Sequence, residues 1–174
     1  MHSVSSQQSQ LFLNILNNMH HTEFMQQAIA LAQKGMDMNE GGPFGAIVVK
    51  DGQVVGVGNN RVTSTQDPTA HAEVVAIRDA CKRLNTFELT DCVIYTSCEP
   101  CPMCLGAIYW ARPKAVYFGC SKEDAARINF DDHFIYDEIN MPKAERKIPM
   151  HQLLQAEAWR VFEAWENKSD KAQY

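Results

Sequence analysis

The chain has 174 residues, 45% of them apolar, and a formal net charge of −5. That length suits one compact core, and the acidic balance argues against nucleic acid as the main partner, because a phosphate backbone calls for a basic face. The scattered cations Arg112, Lys114, Lys143, Arg146 and Lys147 read as solvated surface. No apolar run approaches the roughly 18 to 20 residues of a membrane span, so no membrane partner is expected. The first residues lack the basic leader and small-residue cleavage site of a secretion signal. Six cysteines without such a signal point to a cytoplasmic setting in which free thiols and metal ligation take precedence over disulfides.

Residues 1–21 are Ser- and Gln-rich and then weakly amphipathic, which reads as a flexible extension or a short added helix ahead of a domain spanning 22–174. From Thr22, the positions Phe24, Met25, Ala28, Ile29, Leu31 and Ala32 recur at helical spacing, with Gly35 as a stop. Ala46–Lys50 and Gln53–Val57 flank Asp51-Gly52, a two-residue hairpin signal that predicts two antiparallel strands. The polar stretch Asn59–Thr69 reads as a loop into a helix from His71 to Leu84. A third strand, Cys92–Thr96, leads to a helix over Pro102–Ala111, with proline suited to the first turn, and a fourth strand follows at Ala115–Gly119. A strand-helix-strand unit of this length predicts a parallel, right-handed crossover. Beyond Ser121 the periodicity weakens until a last helix over Leu153–Trp165. The expected fold class is α/β, a mixed sheet between helices, without internal repeats or a second domain.

The chemistry is concentrated in two short segments. Pro100-Cys101-Pro102-Met103-Cys104 sets two thiols three residues apart at a helix start, so that both sulfurs can face one point. Zinc favours thiolate and imidazole ligands in tetrahedral geometry, and catalytic sites commonly use three protein ligands and leave the fourth position open. His71, at another predicted helix N-terminus, can supply the third ligand, and the positive end of each helix dipole favours thiolates there. Glu73, two residues on, suits a proton shuttle better than a fourth ligand. Cys98 is the alternative fourth ligand, which would close the site and make the metal structural. A Cys-x-x-Cys alone is equally compatible with a redox pair or a zinc corner, but a structural zinc usually needs a second pair, and none is present. Cys81, Cys92 and Cys120 read as small core residues, and His20, His21, His133 and His151 carry no motif.

His71-Ala72-Glu73 followed by Pro100-Cys101-Pro102-Met103-Cys104 resembles the signature of the cytidine-deaminase-like zinc deaminases. The resemblance implies a three-layer α/β/α fold with Zn2+ as cofactor. It also implies an activated water attacking an amidine-like ring carbon, Glu73 passing the water proton to a ring nitrogen, and release of ammonia. Over Glu23–Tyr174 the chain most resembles the small bacterial guanine deaminases. The carrying segments are Gly41–Ala46, Asp67–Glu73, Thr96–Cys101 through Arg112-Pro113, Phe130-Asp131-Asp132, and a C-terminal tyrosine. That likeness casts Asp132 as acceptor for the ring N–H and exocyclic amine of guanine, and Asn60 as orienting the base. Phe44 and Trp110 become aromatic platforms, and Ala72 a further contact. Tyr174 would cover the neighbouring subunit's pocket through a swapped C-terminal segment of a homodimer.

Three rival readings share part of the pattern. A tRNA-specific adenosine deaminase would resemble the chain around both zinc motifs, but its RNA substrate would need phosphate-neutralising cations and a strong salt dependence. A cytosine deaminase would need a smaller pocket. A non-catalytic zinc-binding interaction protein would have no use for Glu73 beside the open position.

Overall fold

The computed structural model describes residues 3–173, with side chains for residue 8 and for 19–173. In chain order the elements are α1 (Ser3–Asp37), β1 (Gly45–Lys50), β2 (Gln53–Asn59), α2 (Val62–Thr65), α3 (Ala72–Leu84), β3 (Cys92–Cys98), α4 (Pro102–Ala111), β4 (Ala115–Cys120), α5 (Lys122–Ala126), α6 (His133–Asn140) and α7 (Gln155–Glu166). A one-turn 3-10 helix lies at Lys143–Glu145. They form two compact units, Met1–Asp132 and His133–Tyr174.

The first unit holds a four-stranded sheet in the order β2-β1-β3-β4. β1 pairs antiparallel with β2 and with β3, whereas β3 and β4 are parallel across the α4 crossover. Asp51 and Gly52, both at positive φ (49° and 75°), make the tight hairpin turn. Alternation along β1 and β3 sends side chains to two cores. Ala46, Val48, Cys92 and Ile94 pack with Ala72, Ala76 and Ala80 of α3 and Ile108 and Ala111 of α4. Ile47, Val49 and Tyr95 pack on the other face with Ala28, Phe24 and Met25 of α1. Helices on both faces explain why Ala46–Val49 is continuously apolar rather than alternating, and they give the three layers.

Small residues set the spacing on the α3 side. A Cβ on Gly58 would sit 2.2 Å from the Ala72 carbonyl oxygen and 2.6 Å from the Ala76 nitrogen, so only glycine allows β2 to approach α3 this closely. Asp79 fastens the same contact by accepting a hydrogen bond from the Val57 backbone N–H at 3.0 Å. On the opposite face the Tyr95 hydroxyl, on a residue only 2% exposed, lies 2.6 Å from His21 Nδ1, which gives that buried polar group a partner on α1. His21, without a motif in the sequence, thus helps seat the first helix.

Four features depart from the sequence reading. From Ser3 on, the extension expected as a flexible arm or short added helix is the first part of α1. Between Ser3 and Lys34 no glycine or proline interrupts the chain, and lengthening an existing helix avoids the nucleation cost of a new one. The expected loop Asn59–Thr69 contains the single turn α2, whose end is marked by Gln66 in the left-handed region (φ 53°). Beyond Ser121 two short helices appear where periodicity was too brief to register. α5 opens with a capping box in which Ser121 and Asp124 bond each other's backbone N–H groups. Finally, the single domain expected over 22–174 is divided at Asp132. Among its described residues the C-terminal unit contributes no strand and has no buried residue. It is held by local bonds of its own, among them Lys147 N–H to Glu138 Oε2 at 2.9 Å and the Arg146 guanidinium to the Ile139 carbonyl at 3.0 Å.

Candidate metal centre

Two helix N-termini on the α3–α4 side of the sheet carry the reactive groups. His71 is the N-cap of α3, with extended backbone (φ −70°, ψ 154°). It is presented by a turn in which Asp67 Oδ1 accepts from the Thr69 backbone and hydroxyl, and Arg61 N–H bonds the Ala70 carbonyl. Cys101 is the N-cap of α4, Pro102 occupies its first turn, and Cys104 lies one turn in, fully buried. The loop before them is fixed by Glu99, whose backbone N–H bonds the Cys120 carbonyl and whose Oε2 accepts from the Lys122 N–H at 3.1 Å.

His71 Nδ1 lies 3.5 Å from the Sγ of Cys101 and 3.5 Å from the Sγ of Cys104, and all three ligand atoms fall within 4.8 Å of one another. Ordinary Zn–N and Zn–S bond lengths in a tetrahedron require N···S edges of about 3.6 Å. One imidazole and two thiols at these separations therefore fit zinc. Cys98 stands apart, donating from Sγ to the Ser121 carbonyl at 3.6 Å, and burial is the main reason its thiol is pushed up to about 12. Among the described residues three ligands converge, the count that leaves a coordination position open.

Glu73 is 6% exposed, and its Oε2 accepts from the Cys104 thiol at 3.4 Å. Burial raises its carboxyl above the ordinary carboxylate range, with the hydrogen bond from Cys104 working against that rise. Between the two thiols, Cys101 is drawn down to about 4, chiefly by its side-chain hydrogen bond with Cys104, with a further bond with His71. Cys104 is pushed upward, chiefly by the same bond and then by burial. His71 is raised in turn, first by its hydrogen bond to Cys101. An imidazole, two thiols and a buried carboxyl are thus assembled at the N-termini of α3 and α4.

The other residues singled out from the sequence fall into three groups. Asn60, Ala72, Phe44 and Asp132 are buried or partly buried in the same compact unit as the three ligands. Asn60 is 6% exposed, and its Oδ1 accepts from the N–H groups of Gly42 (3.3 Å) and Val62 (3.2 Å), which leaves Nδ2 as the atom able to donate to a ligand. Ala72 is fully buried between His71 and Glu73. Phe44 packs against the α3–α4 core and edge-on to Phe130. The Asp132 carboxyl is raised by burial and next by the Cys101 sulfur, and its charge is felt by His71, so it stands within electrostatic reach of the ligands. Trp110, by contrast, is 66% exposed in the last turn of α4. It lies six residues beyond Cys104, about 9 Å along the helix axis. Tyr174 lies outside the described residues. Glu99, which sequence reasoning quoted without a role, is the residue it missed. Its position directly before the Pro-Cys pair was the available signal.

A family model of the cytidine and deoxycytidylate deaminase zinc-binding region matches residues 18–120. The chain is 54% identical over 156 residues to the guanine deaminase of Bacillus subtilis (strain 168), covering 90% of this chain and 100% of that protein. The X-ray structure of guanine deaminase from Bacillus subtilis superposes with a TM-score of 0.86 at 55% identity, covering 88% of this chain and 98% of the other. A guanine deaminase structure from Nitrosomonas europaea gives 0.60 at 31% identity over 63% of this chain and 63% of that one. The tRNA-specific adenosine deaminase of Aquifex aeolicus (strain VF5) is 42% identical, but over 55% of this chain and 62% of its own length. With its three-layer fold, its open His-Cys-Cys centre and this match over more than half its length, the chain belongs to the zinc-dependent cytidine and deoxycytidylate deaminase family.

Proposed function

We infer that this chain is a guanine deaminase that hydrolyses guanine to xanthine and ammonia. The observation that carries this reading is likeness to the Bacillus subtilis guanine deaminase along that protein's whole length, including the segment beyond the zinc motifs. The tRNA deaminase relatives share only part of the chain.

His71, Cys101 and Cys104 hold the metal. When bound there, zinc supplies the Lewis acidity that makes water a competent nucleophile near neutral pH. The chain's own groups do the rest. Glu73 takes one proton from the attacking water and passes it to the ring nitrogen, then takes the second from the resulting hydroxyl and passes it to the departing amine, a role suited to a buried carboxyl whose affinity for protons is raised. Asp132 accepts from the ring N–H and the exocyclic amine, Asn60 donates through Nδ2 to an acceptor on the base, and Phe44 packs near the ring. Protons balance, because water contributes its oxygen to xanthine and both hydrogens end on ring nitrogen and ammonia.

The protein acts as a homodimer in the cytoplasm, with Tyr174 of the C-terminal segment over the neighbouring subunit's pocket. The exposed apolar groups Leu105, Tyr109 and Trp110 on α4 support a partner surface, and an outward Trp110 reads more readily as part of that surface than as a platform over its own chain's metal. Six free cysteines support a reducing compartment. Among the described residues no helix is long and apolar enough to cross a membrane.

The test is ammonia release by purified, zinc-quantified protein from a panel of free bases, nucleosides and a tRNA anticodon stem. Turnover of guanine, with little from cytosine or the RNA, is expected. Preferential turnover of adenosine in the RNA would overturn the assignment.

A further inference from the structure

We propose that Phe130 is a positioning residue whose ring clasps the turn at Gly42–Phe44 and thereby fixes the position of Asp132, two residues on. This rests on the reading of Asp132 as the acceptor for the base.

The chain from β4 to Asp132 is fastened at two points. At its start, Glu99 Oε2 accepts from the Lys122 N–H, which ties the segment to the loop that carries Cys101. Ile128 and Phe130 then both donate backbone bonds to the Ala125 carbonyl at 3.1 Å, and Asn129 takes the left-handed conformation (φ 67°). The chain is folded back on itself there, and Phe130 is delivered to the second fastening point. Its ring meets Phe44 edge to face, centroids 4.9 Å apart and planes at 89°, an arrangement favoured by aromatic quadrupoles. The ring tip lies over Gly42 so closely that a Cβ there would fall 2.9 Å from Phe130 Cζ.

The turn under that ring is the one that orients Asn60. Gly42 N–H bonds Asn60 Oδ1 at 3.3 Å, and Asn60 N–H bonds the Phe44 carbonyl at 2.9 Å. Asp132 follows Phe130 by two residues with no regular element between them. Phe130 therefore joins the two arms that carry Asn60 and Asp132, although it is 45% exposed and contributes no polar atom to the pocket.

The experiment measures kcat and KM on guanine, zinc content and thermal midpoint for the full chain and for Phe130→Leu, Gly42→Ala, Asp132→Asn and the double variant Phe130→Leu/Asp132→Asn. A displacement of order 1 Å in a substrate-holding group costs about 10²-fold, so Phe130→Leu is expected to lower kcat/KM by about that factor with zinc content and midpoint near the parent. Gly42→Ala, which pushes the ring tip away, shifts it in the same direction and serves should the leucine variant fold poorly. In the Asp132→Asn background the leucine substitution should add no more than about twofold, because the group it positions has already been disabled. Parent-like kcat/KM in Phe130→Leu, or a full additive loss in the double variant, overturns the clasp. Parent-like activity in Asp132→Asn instead overturns the base-recognition reading beneath it.

Discussion

Replacing Glu73 by glutamine keeps the size and the hydrogen-bonding shape of the side chain while removing its capacity to carry a proton. General acid–base catalysis contributes up to about 10⁴-fold, and the upper end is expected here because the carboxyl is 6% exposed and bulk water has poor access to replace it. That loss corresponds to roughly 5 kcal/mol of transition-state stabilisation. The three ligand atoms belong to His71, Cys101 and Cys104, so zinc content should stay at the parent level. A second readout follows from linkage in the zinc-free protein. Burial raises the folded-state pKa of Glu73 above the ordinary 4.5 of a free glutamate, so its contribution to stability is complete below that value and is lost as pH rises through the raised folded pKa. Glutamine has no such dependence. The melting temperature of zinc-free Glu73→Gln minus that of the zinc-free parent should therefore grow as pH is raised from about 4.5. Guanine turnover followed by ammonia release, metal analysis and melting curves across pH make the assay. Activity within about tenfold of the parent would refute a proton-shuttling role. A melting difference that shrinks with rising pH would refute the electrostatic reasoning.

Each of His71→Ala, Cys101→Ala and Cys104→Ala should lose most of the bound zinc, whereas Cys98→Ala should retain it, because the Cys98 thiol bonds the Ser121 carbonyl instead of joining the ligands. Metal analysis after dialysis decides, and zinc loss in Cys98→Ala would redraw the ligand set. In zinc-free protein at pH 6, iodoacetamide should label Cys101 ahead of Cys98, since the first thiol is held at about 4 and the second pushed up to about 12. Zinc should protect Cys101, and preferential labelling of Cys98 in peptide mapping would contradict the assignment. Ile94→Ala removes a side chain with no exposure from the core beneath α3 and α4, and should destabilise the fold by about 2–5 kcal/mol in denaturant unfolding. A change below about 1 kcal/mol would mean that this core is looser than its burial indicates.

The local elements and the metal ligands were legible in the sequence because the causes are local. The Asp51-Gly52 turn specifies a hairpin within two residues, and Pro102 marks the start of α4. The Cys101–Cys104 spacing puts two sulfurs on one side of a helix start, whatever surrounds them. Continuity of α1 and the short helices α2, α5 and α6 were not legible, since one or two turns carry too little periodicity and helix propagation depends on what lies before and after. The tertiary structure alone brings His71, some thirty residues earlier in the chain, to within 3.5 Å of both sulfurs, by pairing β1 with β3 and laying α3 beside α4. It also decides that Cys98 turns to a backbone carbonyl instead of joining the other two thiols, and that Trp110 is largely exposed in the last turn of α4. Residue type and spacing determine what a side chain can ligate or protonate, but burial and distance across the fold, which involve neighbours remote in sequence, determine which of those capacities meet in one place.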